Sequence, residues 1–295
     1  MSQRPATPKA RRLLIRMAAA LGLADRLTLQ PSERAALARR SDGPPARPAR
    51  VIFLVPLVGQ APVSDWAAVV ERLDTTLRSF RAQTDPRWQA VICCQGRPAL
   101  PDDPRITHLP FDDPTPGNDK WRKLGALCDH LPALGPDPAY VMTFDADDLL
   151  HRETVAQMLA ATTRNGFLFE AGLVLDHATG RVARADRPSV AAPLRKPLWK
   201  LCGSCMALPI RPDAAPDRAF LQAMTGHEHR MFPHLARLAG FRLRRIGVPR
   251  VLYILNHGEN FGARRGRVGF KTRFVQRFAL SETDGRAALA GFPAP

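Results

Sequence analysis

The sequence predicts an α/β domain on a mixed, mostly parallel sheet flanked by helices. One continuous apolar run of strand length, at residues 51–58, and two largely apolar ones, at 88–94 and 140–144, point there. Runs of this kind mark strands buried on both faces. Helical patterns fall between and after them, over 65–82, 118–131 and 152–162. Strands alternating with helices favour a largely parallel sheet.

The elements follow in order. Residues 1–48 are a basic helical extension closed by the linker-like Gly43-Pro44-Pro45-Ala46-Arg47-Pro48. Within it, Leu13, Leu14 and Met17 share a helical face with Leu21, and Arg12 and Arg16 lie one turn apart. Such a helix suits an anionic membrane surface, or packs on its own domain. Arg16 interrupts the apolar run and no small-x-small site follows, so a signal peptide is not expected. After the first strand, Ser64 reads as the N-cap of helix 65–82, with Trp66, Val69, Val70, Leu73, Leu77 and Phe80 inward. Strand 88–94, a short strand at 106–109, helix 118–131 and strand 140–144 complete the alternation. The domain spans 49–262, and 263–295 reads as a basic tail.

Composition fits a globular chain. Of 295 residues, 45% are hydrophobic and 24% charged, which excludes a disordered chain and a disulfide-dense miniprotein. No 18-residue apolar window exists, so no spanning helix is expected. The net charge is +16, an attraction for polyanions such as anionic lipid, nucleic acid or phosphorylated substrates. It sits at the ends. Residues 1–50 hold eleven Lys and Arg against three acids, and 264–277 hold six and no acid. No nucleic-acid motif accompanies them, so nucleic acid is not an expected partner. Cys93, Cys94, Cys128, Cys202 and Cys205 form no disulfide framework. Cys202 and Cys205 have the spacing of a zinc or redox pair, but only His227 and His229 offer further ligands, so the pair reads as small apolar residues on buried strands.

The sharpest signal follows the fourth strand, where Asp145-Ala146-Asp147-Asp148 places three carboxylates in four residues. Like charges this close raise one another's pKa, and a divalent cation removes that cost. Oxygen ligands favour Mg²⁺ or Mn²⁺. The carboxyl ends of parallel strands are also where open α/β sheets bind ligands. A simpler reading has Asp147 or Asp148 cap the next helix.

The order of these elements, with Phe144-Asp145-Ala146-Asp147-Asp148 at the strand end, resembles the family 2 glycosyltransferases of the GT-A (Rossmann-like) fold. Gly203-Ser204-Cys205-Met206-Ala207 resembles the family's acceptor-side strand. Glu228, with the helical run 235–243, resembles its Glu-Asp motif. Tyr253 to Asn260, with His257, resembles its closing Tyr/His/Asn stretch. The likeness covers about 51–262 and implies a cytoplasmic, metal-dependent enzyme, resting on the inner face of a membrane. It would move a sugar from a nucleotide-sugar donor to a glycan or glycolipid acceptor, with inversion. Metal ligation falls to Asp147 and Asp145, with His257 within reach. Donor binding falls to Pro56, Gln95, Lys120, Lys123, Asp145 and Ala146, with Arg122 another candidate for phosphate. Gly203 and Ser204 line the acceptor side. Glu228 or His229 is the base, with Glu228 preferred.

Two departures stand out. Gln95 sits where the family carries an Asp against the base of the nucleotide, and His229 replaces the Asp of Glu-Asp. Two alternatives remain open. A nucleotidyltransferase would show a Gly-rich basic loop after the first strand, and residues 56–62 contain no basic residue. A binding module would act through the basic ends alone, and removal of 1–48 would abolish its function.

Overall fold

A seven-stranded mixed sheet organises the chain in the computed structural model, which describes residues 3–43, 45–60, 63–113, 115, 117–161, 163–256 and 268–294. Helices α1 (Lys9–Ala20) and α2 (Pro31–Ser41) come first. Then follow β1 (Arg50–Pro56), α3 (Trp66–Arg81), β2 (Trp88–Cys94), β3 (Ile106–Pro110), α4 (Lys120–His130) and β4 (Ala139–Thr143). The second half contains β5 (Leu149–Leu150), α5 (Thr154–Ala160), β6 (Phe167–Phe169), β7 (Gly172–Asp176), β8 (Arg181–Ala185) and β9 (Met206–Ile210). It continues with α6 (Ala215–Thr225), α7 (Phe232–Leu238), β10 (Arg244–Ile246), β11 (Val251–Leu255), α8 (Val268–Phe278) and α9 (Glu282–Leu289).

The strand order is β10-β6-β9-β4-β1-β2-β3, and only β9 runs against the others. A smaller sheet, β5-β11-β7-β8, lies beside it. The apolar run of β1 is explained by its two covered faces. Val51, Phe53 and Val55 enter one core with Leu73, Leu77 and Phe80 of α3. Ile52 and Leu54 enter the other with Leu124 and Leu127 of α4 and Phe220 of α6. Phe53 stacks on Phe80 with ring centroids 4.2 Å apart.

Several sequence expectations shift. The N-cap of α3 is Asp65, whose carboxylate accepts from the Ala68 N–H at 2.9 Å, so Ser64 lies one residue too early. Trp66 and Val70 are half-buried. Helix α5 starts at Thr154 because Leu149 and Leu150 are used as a strand against β11. Neither Asp147 nor Asp148 caps it; its N-cap is Glu153.

The extension is bound into the domain. Ile15, Leu29 and Ala36 are buried in the second core. Arg39 pairs with buried Asp217 at 3.2 Å and lies over the Phe241 ring. Glu33 accepts from Thr7 at 2.8 Å and pairs with His234 at 3.1 Å. The composition break at 48 is therefore not a break in packing. The segment read as a basic tail folds, over 268–294, as α8 and α9. Phe274 and Val275 reach the first core, and Leu289 and Phe292 pack on the small sheet.

All five cysteines are free and buried. Cys202 faces the first core and Cys205 the second, so they do not converge on a metal. His227 is engaged by the Ser32 hydroxyl at 2.7 Å. Among the described residues, no helix is long and apolar enough to cross a membrane.

Candidate functional site

The three aspartates lie just beyond the carboxyl end of β4, next to the centre of the sheet. The Phe144 N–H still donates to Leu54 O at 2.9 Å, after which the chain turns, with the Asp148 N–H donating to Asp145 O at 3.2 Å. Buried hydroxyls fix this turn. Ser204 Oγ accepts from the Asp145 N–H at 2.9 Å and donates to Asp148 Oδ2 at 2.6 Å. Thr76 Oγ1, from α3, reaches the carbonyls of Ala146 and Asp148, both at 2.9 Å. Asp145, Ala146 and Asp147 are half-buried at the surface of the turn, and Asp148 is wholly buried beneath it.

Burial, and then the charges of Asp147 and Asp145, push Asp148 well above the usual carboxylate range. Its Oδ2 accepts from the Ser204 hydroxyl at 2.6 Å and from the Cys202 thiol at 3.1 Å. Oδ1 has no partner among the described residues. The folded state thus binds a proton that the unfolded state gives up near pH 4, so the associated stability is lost as pH rises from there. Asp148→Asn removes this dependence. The variant should match or exceed the wild type in melting temperature at pH 8 and lose that advantage at pH 4. A variant less stable at both pH values would contradict the upward shift.

Asp145 faces a cation. Burial opposes the charge on Lys120, yet Asp145 at 2.6 Å together with Asp147 and Asp148 outweighs it and raises the Lys120 pKa. Lys271, on α8, donates to the Tyr253 hydroxyl and lies 4.4 Å from its ring centroid. Burial lowers the Lys271 pKa, while Cys202 and the three aspartates pull it back up. Burial, then Asp148 and Asp147, pushes the Tyr253 phenol upward. The repulsion assigned to a cation from sequence is therefore met in part by Lys120, paired with Asp145, and by the nearby charge of Lys271.

At the ends of β1 and β2 the side chains form a chain of bonds. Gln95 Nε2 donates to Asp119 Oδ2 at 2.6 Å, and Lys123 Nζ lies 2.7 Å from the same oxygen. Lys123 is fully buried and also donates to Leu57 O at 2.7 Å, fixing the loop after Pro56. Its ammonium is thus committed within the fold, to Asp119 and to Leu57 O. Arg122 is likewise committed, to Asp113 at 2.5 Å and Thr115 O at 2.6 Å. Gln95 is exposed and beside it stands Asp119, a carboxylate the sequence reading did not select. Gly59 permits this approach: a Cβ there would lie 2.5 Å from Gln95 Oε1.

On the other side, Gly203 backs directly onto Asp145, where an added Cβ would lie 3.3 Å from Oδ2. Ser204 is fully buried, so it shapes the aspartate turn instead of facing an acceptor. Glu228 and His229 open a short 3-10 turn (His229–Met231) after α6. His229 Nδ1 is 2.7 Å from Trp199 O. A carbonyl only accepts, so Nδ1 carries the hydrogen and Nε2 the lone pair. Burial lowers the His229 pKa to about 4, with Lys271 and Arg230 acting in the same direction and Asp145 against. The carbonyl of half-buried Glu228 accepts from the Met231 N–H at 2.9 Å, while its carboxylate makes no hydrogen bond or ion pair with a described residue. His257 lies outside the described residues.

The signals missed in the sequence are Thr76, Asp119, Cys202 and Lys271. Two cavities, of about 550 and 450 Å³, lie away from the aspartates, one against α8 and one between His151 and Gly291. Among the described residues, no three His, Cys, Asp or Glu side chains could hold a metal by themselves. Mg²⁺ and Mn²⁺ shared with a diphosphate require only one or two carboxylates, and Asp145 and Asp147 suit that arrangement. The unpartnered Oδ1 of Asp148 beneath them adds to the oxygen-rich character. No protein-family profile matches the chain, and no curated protein matches it.

Proposed function

We propose that this chain is a metal-dependent glycosyltransferase with a GT-A-like domain, moving a sugar from a nucleotide-sugar donor to a hydroxyl of a glycan or glycolipid, with inversion. The observation that carries this reading is the half-buried Asp145 and Asp147 pair at the end of the central strands, clamped from below and flanked by Lys120 and Lys271. That position is where α/β sheets bind ligands. The loop after β1 lacks a basic residue and Lys123 is buried within the fold, which disfavours a nucleotidyltransferase.

Asp145 and Asp147 would hold Mn²⁺ or Mg²⁺, which on binding would neutralise charge on the donor diphosphate. Lys120 and Lys271 supply positive charge next to the departing diphosphate. Gln95 and Asp119 present an amide and a carboxylate to the edge of a base. His229 Nε2, unprotonated and fixed in its tautomer by Trp199, takes the proton of the acceptor hydroxyl. The freed oxygen bonds to the anomeric carbon as the bond to the diphosphate oxygen breaks, and the electron pair leaves with the nucleoside diphosphate. Anionic diphosphate near Lys271 offsets one cation that depresses His229, raising its basicity when donor is bound. This ranks His229 ahead of Glu228, the reverse of the order preferred from sequence.

The test is release of nucleoside diphosphate from UDP-, GDP-, CMP- and dTDP-linked sugars with Mn²⁺, with CMP release scored for the CMP sugar. One donor should turn over, and none doing so would contradict the reading. His229→Gln should lower kcat by about a hundredfold with KM for the donor little changed, and Glu228→Gln by less than about tenfold. The opposite ranking would assign the base to Glu228.

A further inference from the structure

Helix α1 turns the wrong side to water for a helix that only packs on its own domain. Ile15 is fully buried, whereas Leu13, Leu14, Met17 and Leu21 are 52, 54, 57 and 72% exposed. By the 3.6-residue period these four form one stripe opposite Ile15. The same period places Lys9 and Arg16 along one edge of the stripe and Arg11 along the other. No acidic residue occurs from residue 3 to 24. The basic charge continues past the helix. Lys9, Lys196 and Arg230 all act on Lys200, whose ammonium is depressed by burial and then by these like charges. Lys200 adjoins Trp199, whose carbonyl fixes His229. Arg12 Nη1 of α1 donates to Arg230 O at 3.3 Å, so the helix lies against the segment that carries His229.

We propose that α1 docks the protein on an anionic phospholipid surface, with Leu13, Leu14, Met17 and Leu21 in the headgroup–acyl boundary and Lys9, Arg11 and Arg16 on lipid phosphates. Charge complementarity selects this occupant. Two copies of a +16 chain would bring basic-edged stripes face to face and repel. A nucleic-acid backbone would leave the apolar stripe between the cations without a partner. The helix is too short to cross a bilayer and has the basic and apolar edges of one that lies in its plane. Docking does not depend on the glycosyl-transfer reading, though it would bring His229 and the aspartates towards an acceptor carried by a lipid.

Flotation of the full chain with phosphatidylcholine vesicles, with and without phosphatidylglycerol, tests this. The protein should float with phosphatidylglycerol vesicles alone. Leu14→Ser/Met17→Ser should weaken partition by at least about tenfold, since each exposed side chain buries apolar area only on the vesicle. Lys9→Glu/Arg11→Glu should weaken it by about fivefold for each basic charge removed. The replaced side chains are exposed, and an unchanged melting temperature confirms that the fold is intact. Flotation on neither vesicle, equal flotation on both, or unchanged partition in Leu14→Ser/Met17→Ser would overturn the proposal. A concentration-dependent dimer that this double variant abolishes would also overturn it, assigning the stripe to a second copy. Donor turnover in detergent-free solution is independent of every one of these outcomes.

Discussion

Asp147→Asn should lower turnover by about a thousandfold, the scale of losing one electrostatic contact made in the transition state. The substitution keeps the shape of the side chain and removes its charge. Asp147 is half-buried on a turn whose backbone is held by Thr76 and Ser204, so the fold should survive. Removing one negative neighbour also eases the burden on Asp148, whose carboxyl is raised by Asp147 and Asp145 after burial itself. The melting temperature should therefore hold or rise. Kinetics on a turned-over donor, beside a thermal melt, separates the two effects. A variant that keeps wild-type turnover removes Asp147 from the site.

The largest stability effect belongs to Asp217→Ala. Asp217 is fully buried and accepts from Arg39 Nε at 3.2 Å, and from Arg211 at its N–H (2.8 Å), Nε (3.1 Å) and Nη2 (2.9 Å). Its loss leaves the Arg39 guanidinium buried without a counter-charge, and Arg39 Nη2 already has no partner among the described residues. Breaking a buried pair from one side costs about 3–5 kcal/mol. For a chain this long, the melting temperature should fall by about 10 °C. Arg39→Met/Asp217→Leu, which removes both charges, should recover much of the loss. A single variant within a degree or so of wild type would mean that the pair is not dry. The same contact bears on the extension. Removing residues 1–48 would take Ile15, Leu29, Ala36 and Arg39 out of the packed domain, so truncation would unfold the chain and not isolate a binding function. Point variants on the exposed stripe do that instead.

The sheet was legible where burial is two-sided. Residues 88–94 read as a strand and form β2, and the runs at 51–58 and 140–144 carry β1 and β4, shifted by one or two residues. A continuous apolar stretch needs no knowledge of its partner. The small sheet was not foreseen, because Leu149–Leu150 is two residues long and β7 and β8 become strands only by pairing with each other and with β11. The tail was misread for a different reason. Its basic residues set the composition, while Phe270, Phe274, Val275 and Phe278 recur at helical spacing and two of them are buried. In the site, the aspartates are local in sequence and were found. Ser204 bonds Asp145 from 59 residues away and Lys271 arrives from the last quarter of the chain, so only folding brings them together. Lys123 and Arg122 looked like phosphate ligands because charge on a helix says nothing of what the ammonium or guanidinium already holds.

The measurement that bears most directly on the central claim is the melting temperature of the wild type and Asp147→Asn with UDP-, GDP-, CMP- and dTDP-linked sugars, with and without Mn²⁺. Ligand at a hundred times its dissociation constant stabilises the native state by about 2.7 kcal/mol, or about 5 °C here. A rise of that size with one nucleotide, seen only with Mn²⁺ and absent in Asp147→Asn, is the predicted result. No rise with any donor, or the same rise in Asp147→Asn, would contradict a metal-dependent donor site at the end of β4.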